Sequence, residues 1–288
     1  MKSYGFSRIL LATDGSDQAD VAVTVAASFA QAWEASVRVV HVWSLEVHHR
    51  HGSWDVETRS EATRLISDAV TRLRSLRVEA DGELSHADNG HVTAAIAQAA
   101  REFNADLVVV GSRGLSEWQS MLQHGVSHHV LCAVDCPVLI VRGRSDDVFH
   151  PRRVLLAVAG GDDLAPGVHA ATAVASGDGS KVLVVHVAQA IVGAQGFSFV
   201  ETDDEIATTL QKATALFAEG GLEVETMVAE PGPVARVVAE AAARWHADVI
   251  VIGSSRMSDL AGMLFGSVTY DLLRATDRPV LVAERVRA

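Results

Sequence analysis

Ala105-Asp106-Leu107-Val108-Val109-Val110-Gly111-Ser112 is answered, 142 positions later, by Ala247-Asp248-Val249-Ile250-Val251-Ile252-Gly253-Ser254. Both octets share one pattern. A small residue and an aspartate precede four aliphatic residues, and a glycine ends the run. A short continuous apolar run bounded by turn residues reads as a strand covered on both faces, as in a parallel sheet. The closing glycine leaves room for close backbone approach immediately beyond the strand.

Three further blocks recur in the same order. Arg8-Ile9-Leu10-Leu11-Ala12 returns as Arg153-Val154-Leu155-Leu156-Ala157, and Val39-Val40-His41-Val42 as Val184-Val185-His186-Val187, each 145 positions on. Cys136-Pro137-Val138-Leu139-Ile140-Val141 returns as Arg278-Pro279-Val280-Leu281-Val282-Ala283, again 142 positions on. Four blocks in register mark an internal duplication, with three residues lost midway through the second copy. The polar stretch 143–152, with Gly143 and Pro151, reads as the linker, and the predicted domains are 1–145 and 146–288.

Within the first copy, strands are expected near 8–13, 37–43, 78–85, 106–111 and 137–142, separated by helices. The amphipathic stretches 56–76 and 92–102, rich in Ala, Arg and Glu, are two of these helices. Alternation of strand and helix predicts an α/β fold with right-handed crossovers and an open parallel sheet. Ligands in such sheets lie beyond the carboxyl ends of the strands, where the strand order reverses. The residues after the first, second and fourth strands are therefore the candidates.

Bulk properties narrow the classes. The 288 residues carry 24 Lys and Arg against 36 Asp and Glu, a net charge of −12. This acidity argues against nucleic acid and anionic membranes as partners, since both call for clustered basic residues. No apolar run approaches a bilayer span and the start of the chain does not read as a signal peptide, so a cytoplasmic location is expected. The two cysteines, Cys132 and Cys136, form no disulfide framework and read as buried inert thiols.

Two loops have the composition for chemistry. Gly111-Ser112-Arg113-Gly114 is followed by nine residues and then by His124-Gly125-Val126-Ser127, which opens a helix. Glycines let backbone N–H groups approach a phosphate, and a helix start adds unpaired donors. After the first strand comes Thr13-Asp14-Gly15-Ser16, whose carboxylate can accept from an adenine amino group or a ribose hydroxyl. The alternative is an ordinary turn in which Asp and Ser cap the next helix.

Taken together, these blocks resemble a tandem universal stress protein, over nearly the whole chain. Nucleotide-binding members of that family carry Gly-x2-Gly-x9-Gly-Ser/Thr after the fourth strand and an Asp after the first. They share the His-Val end of the second strand and the Cys-Pro-Val-Leu type of last strand. The resemblance implies a five-stranded sheet in the order 3-2-1-4-5 in each copy. It also implies a pseudo-two-fold pairing of the copies through their last strands, with a homodimer as a further expectation. It implies ATP or another adenine nucleotide as ligand, held in copy one by Ala12, Thr13, Asp14, Val42, Val110, Gly111, Arg113, Gly114, His124, Gly125, Val126 and Ser127. In copy two the corresponding residues are Gly253, Arg256, Gly266, Ser267 and Val268.

Each copy departs from the motif differently. Copy one keeps Asp14, Gly111 and Gly114, but has His124-Gly125 where Gly-Ser is expected. Copy two keeps Gly253 and Gly266-Ser267, with Arg256 in place of the second glycine and Ala159 in place of the aspartate. Copy one is thus the expected nucleotide site. His124 and Arg256 are expected to work against a full triphosphate, either as anion donors or as plugs.

His124 and His128 stand four apart on an expected helix without a third ligand at motif spacing, so no metal site is expected. His48, His49 and His51 are read as a solvated loop. Ala159-Gly160-Gly161-Asp162-Asp163 resembles the loop of PP-loop ATP pyrophosphatases but lacks both of its serines. Three functions follow: a regulatory stress protein that binds an adenine nucleotide with little or no turnover, a scaffold that has lost the nucleotide, or a slow ATPase or AMP-forming enzyme. The absence of an evident general base disfavours the third.

Overall fold

Strand alternation and helix capping can be followed residue by residue in a computed structural model of the chain. It describes residues 5–43, 48–50, 53–55, 57–87, 92–111, 130–131, 133–142, 149–160, 163–175, 179–193, 196–218, 222–253 and 267–283. The chain divides into two compact units, one spanning Phe6–Phe149 and the other containing His150–Ala288.

In the N-terminal unit the elements are β1 (Arg8–Ala12), α1 (Asp17–Trp33), β2 (Ser36–Trp43), β3 (His48–Arg50), β4 (Ser53–Asp55), α2 (Arg59–Ser75), β5 (Ala80–His86), α3 (Val92–Phe103), β6 (Leu107–Gly111) and β7 (Val138–Val141). The C-terminal unit repeats them as β8 (Arg153–Val158), α4 (Ala165–Val174), β9 (Lys181–Val187), β10 (Ala190–Gly193), β11 (Gly196–Phe199), α5 (Asp203–Ala218), β12 (Glu223–Ala229), α6 (Val234–Trp245), β13 (Val249–Gly253), α7 (Ser267–Ala275) and β14 (Val280–Ala283).

Each unit holds five parallel strands. The order is β5-β2-β1-β6-β7 in the first and β12-β9-β8-β13-β14 in the second, which is 3-2-1-4-5 in both. Two antiparallel hairpins depart from the expected plan. The segment read as a solvated histidine loop contains β3 paired with β4, and β10 pairs with β11 at the same place in the second unit.

The octets explain themselves locally. Helix α3 stops because Asn104 turns into the left-handed region at φ 51°, and α6 stops at His246, φ 55°. The N–H of the following alanine then bonds back into the helix, Ala105 to the Ala100 carbonyl and Ala247 to the Ala242 carbonyl, both at 2.8 Å. The aspartate after it reaches across to the start of the first strand. Asp106 accepts from the N–H groups of Ser7 and Arg8 at 2.7 and 2.9 Å. Asp248 accepts from those of Arg152 and Arg153 at 2.8 and 2.9 Å. Three consecutive residues thus end a helix and set the fourth strand beside the first.

The apolar runs that follow fill the core. Ile9, Leu10 and Leu11 pair with Leu107, Val108 and Val109, and all six are sealed from solvent. Helix α1 packs on β1 and β6 and buries Ala22, Val23, Ala26, Phe29 and Ala30. The third strand of each unit is more exposed and is held in register by an ion pair to the second. Arg38 donates to both Asp81 oxygens at 2.7 and 2.6 Å, and Lys181 Nζ meets Glu223 at 2.7 Å. The hydrogen bond from Arg38 lowers the Asp81 carboxyl below its ordinary range. Such exposed pairs contribute register more than stability.

Asp106→Ala should remove two charge-assisted bonds to backbone and lower the unfolding free energy by about 1–2 kcal/mol, the scale for partly exposed bonds of this kind. Urea denaturation checks it, and an unchanged midpoint would show that the aspartate does not hold β1 beside β6.

Candidate functional site

A strand order of 3-2-1-4-5 sends the chain outward from β1 through β2 to β5, then back across to β6 and β7. The reversal lies between β1 and β6, and there the carboxyl ends of neighbouring strands diverge and open a crevice. Ala12 pairs with Val110 across it, and Thr13-Asp14 and Gly111 continue beyond. Val42 stands on the adjacent strand, near the end of β2. The structure thus brings Ala12, Thr13, Asp14, Val42, Val110 and Gly111 to one end of one sheet. Arg113, Gly114, His124, Gly125, Val126 and Ser127 lie outside the described residues, as do Arg256 and Gly266. In the C-terminal unit Gly253 ends β13, α7 begins at Ser267, and Val268 follows it.

The turn after β1 is built by short local bonds. Thr13 is buried and its N–H donates to the Val40 carbonyl at 3.0 Å. Its hydroxyl accepts from Gly15 N–H at 3.3 Å. Asp14 Oδ1 accepts from both the backbone N–H and the hydroxyl of Ser16, at 3.0 and 2.6 Å. Ser16 in turn caps α1, accepting from Ala19 N–H. The capping role and a ligand role are therefore compatible, because Asp14 acts one step upstream of the cap. Gly15 sits at φ 72°, where a side chain is disfavoured, and Leu65 from α2 packs against the space a Cβ would need.

Beneath this turn lies a polar cluster that the sequence reading missed. His41, 5% exposed within an apolar strand, places Nδ1 2.8 Å from the Thr13 carbonyl and Nε2 2.9 Å from Glu57 Oε2. Glu57 immediately precedes the capping box of α2, in which Thr58 and Glu61 satisfy each other's backbone N–H groups. The hairpin β3–β4 returns the chain so that Glu57 comes back to β2, and Trp43 Nε1 donates to its carbonyl at 2.8 Å. The C-terminal unit repeats the pair, with His186 Nε2 2.9 Å from Glu201 Oε2. Thr202 and Glu205 repeat the capping box. The signal was present: a histidine recurs inside an otherwise aliphatic strand, and Glu-Thr-x-x-Glu recurs at 57–61 and 201–205.

The C-terminal crevice is lined differently. Ala159 stands where Asp14 stands, and the Glu201 carboxylate packs over Gly160, where Leu65 covers Gly15 in the other unit. Cys136 lies partly exposed in the bend before β7 and is not buried as the sequence suggested, and Cys132 is outside the described residues. Among the described residues, no three His, Cys, Asp or Glu side chains gather as a metal would require, and no helix is long and apolar enough to cross a membrane.

Fold and site together define a chain of two doubly wound α/β units, each with its crevice at the strand-order reversal. The chain belongs to the universal stress protein family, whose model matches residues 5–142 and again 150–284. A universal stress protein of Mycobacterium tuberculosis (strain H37Rv) is 28% identical over 291 residues, covering 96% of this chain and 97% of its own. One from Thermus aquaticus is 36% identical over 148 residues, 48% of this chain and 99% of that protein. The crystal structure of a universal stress protein from Archaeoglobus fulgidus shares the fold at TM-score 0.71 with 21% identity, over 98% of this chain and 97% of that one.

Gly15→Ala should destabilise the N-terminal unit by about 1–2 kcal/mol, the cost of holding an L-residue in the left-handed region. Adding Leu65→Ala relieves the packing but not the φ angle. Full recovery of the thermal midpoint in the double variant would show that crowding, not backbone conformation, requires the glycine.

Proposed function

We propose that this protein is a stress-response regulator that binds an adenine nucleotide in its N-terminal unit, and that it acts through occupancy more than turnover. The observation that carries the reading is the setting of Asp14. It follows β1 at the point of strand-order reversal, at the same end of the sheet as Gly111, on a turn locked by Thr13, Gly15 and Ser16. A carboxylate oriented in this way suits an adenine amino group or a ribose hydroxyl, while the glycine loop after β6 suits phosphate. Family membership supports the same ligand class. Ala159 removes the carboxylate from the other crevice, which favours the N-terminal site. The residues His124-Gly125, in place of Gly-Ser, favour a short phosphate chain over a triphosphate, so AMP competes well with ATP in this reading.

Asp14→Ala should weaken adenine-nucleotide affinity by about 1–3 kcal/mol, the scale for leaving a polar partner unpaired. Titration calorimetry with AMP and ATP reads it, and mass spectrometry of small molecules released from the denatured protein identifies the resident ligand. Unchanged affinity in Asp14→Ala together with lost affinity in Ser267→Ala would move the site to the C-terminal unit.

A further inference from the structure

The buried His–Glu pair is formed in both units, yet only one of the two histidines reaches the turn above it. His41 bonds the Thr13 carbonyl through Nδ1. A carbonyl can only accept, so Nδ1 carries a hydrogen. Nε2 faces the Glu57 carboxylate at 2.9 Å. Both polar groups of the Thr13 backbone are then held by β2: its N–H by the Val40 carbonyl and its C=O by His41. The next residue is Asp14. Within the turn, local bonds join Thr13, Asp14, Gly15 and Ser16.

His186 has the same strand position, the same neighbours in sequence and the same 2.9 Å contact to a glutamate. It is 1% exposed, and its Nδ1 finds no hydrogen-bond partner among the described residues. This unit is also the one that carries Ala159 in place of the aspartate. A pair that served only to seat the start of the following helix would have no reason to differ between copies at its other end. The difference falls at the bond to the turn, in the copy whose turn has lost its carboxylate.

We propose that His41 is a positioning residue. Through the Thr13 carbonyl it fixes the turn that presents Asp14 to the ligand, and Glu57 holds its ring in place. His186 has no such part. The proposal rests on the nucleotide reading for its ligand, but its structural half stands without it.

Two substitutions separate the arms of the imidazole. The amide nitrogen of Asn lies where Nδ1 lies, and that of Gln reaches toward the place of Nε2, so each preserves one donor. In the full chain, His41→Asn keeps the bond to Thr13 and gives up Glu57, while His41→Gln does the reverse. The measurements are AMP and ATP titration, amide hydrogen exchange at Gly15 and Ser16, and the thermal midpoint. His41→Asn should hold affinity within about threefold, and His41→Gln should lose about tenfold or more, as expected when a site must be reorganised before binding. Exchange at Gly15 and Ser16 should accelerate by about tenfold in the Gln variant alone, as local opening becomes easier. His186→Asn and His186→Gln should lower the midpoint without changing affinity. Equal losses in the Asn and Gln variants, in step with the midpoint, would reduce His41 to a structural residue, and so would no change in either. If the wild-type chain binds neither nucleotide, the ligand reading fails, and the exchange contrast between Asn and Gln still decides the positioning role.

Discussion

The constraint on which this molecule depends is that every strand in each five-stranded sheet runs the same way. A parallel strand cannot be reached by a tight turn, so each pair requires a crossover, and the crossovers cover the sheet with helices. With both faces covered, the strands can be aliphatic throughout, as Ile9–Leu11 and Leu107–Val110 are. Polar chemistry is then largely excluded from the central strands and left to the sheet's outer strand and its ends. All carboxyl ends lie on one side, and the order 3-2-1-4-5 opens them at β1 and β6. The location of the crevice thus follows from strand direction and order before any site residue is considered.

His41 is the exception that such a sheet tolerates only with compensation. An imidazole inside an apolar strand must satisfy two nitrogens, because a buried polar group without a partner is costly. It does so by recruiting two segments from elsewhere, the Thr13 carbonyl and the Glu57 side chain, 28 and 16 residues away. The cost of burying the ring is offset by fixing three chain segments against one another at the mouth of the crevice. The hairpin β3–β4 lies in the chain between Trp43 and Glu57, and those two residues are joined by the bond from the indole N–H to the Glu57 carbonyl.

Much of this was legible in the sequence, and the reason is periodicity. The five strands of the first copy fall within about two residues of the expected positions, and for four of them the reason is an apolar run that the duplication shows twice, while the third, polar strand follows from the alternation of strands and helices. The position of Asp14 just past β1, at the sheet end where β6 stops at Gly111, was legible from the same argument. The hairpins were not. Strands of three or four residues give too few positions for alternation, and His48-His49-Arg50 contains none of the β-branched residues that mark a strand. The His–Glu pairs were missed for a different reason. Val-His-Val was read as a repeat marker, and Glu-Thr-x-x-Glu is a local capping signal. Their meeting is a tertiary fact that neither segment encodes alone.

Duplication frees one copy to drift, and the two crevices record how far each has gone. The packing beneath them is shared: the aspartate clamp from Asp106 or Asp248, the ion pair to the third strand, the capping box and the His–Glu contact all occur twice. What differs is the turn after the first strand and the bond that the buried histidine makes to it. In one unit Leu65 covers Gly15 and the carboxylate beside it comes from the turn itself, Asp14. In the other the turn offers Ala159, and the carboxylate over Gly160 comes from below, from Glu201. A group attached to the turn moves with it, whereas Glu201 is tied to His186 and to the start of α5. The second crevice thus retains a carboxylate near the first strand, with the Glu201 side chain 18% exposed. The fold's requirements have kept the clamps and caps of the lower layer the same in both units, and the differences gather at the turn and at the histidine nitrogen that faces it.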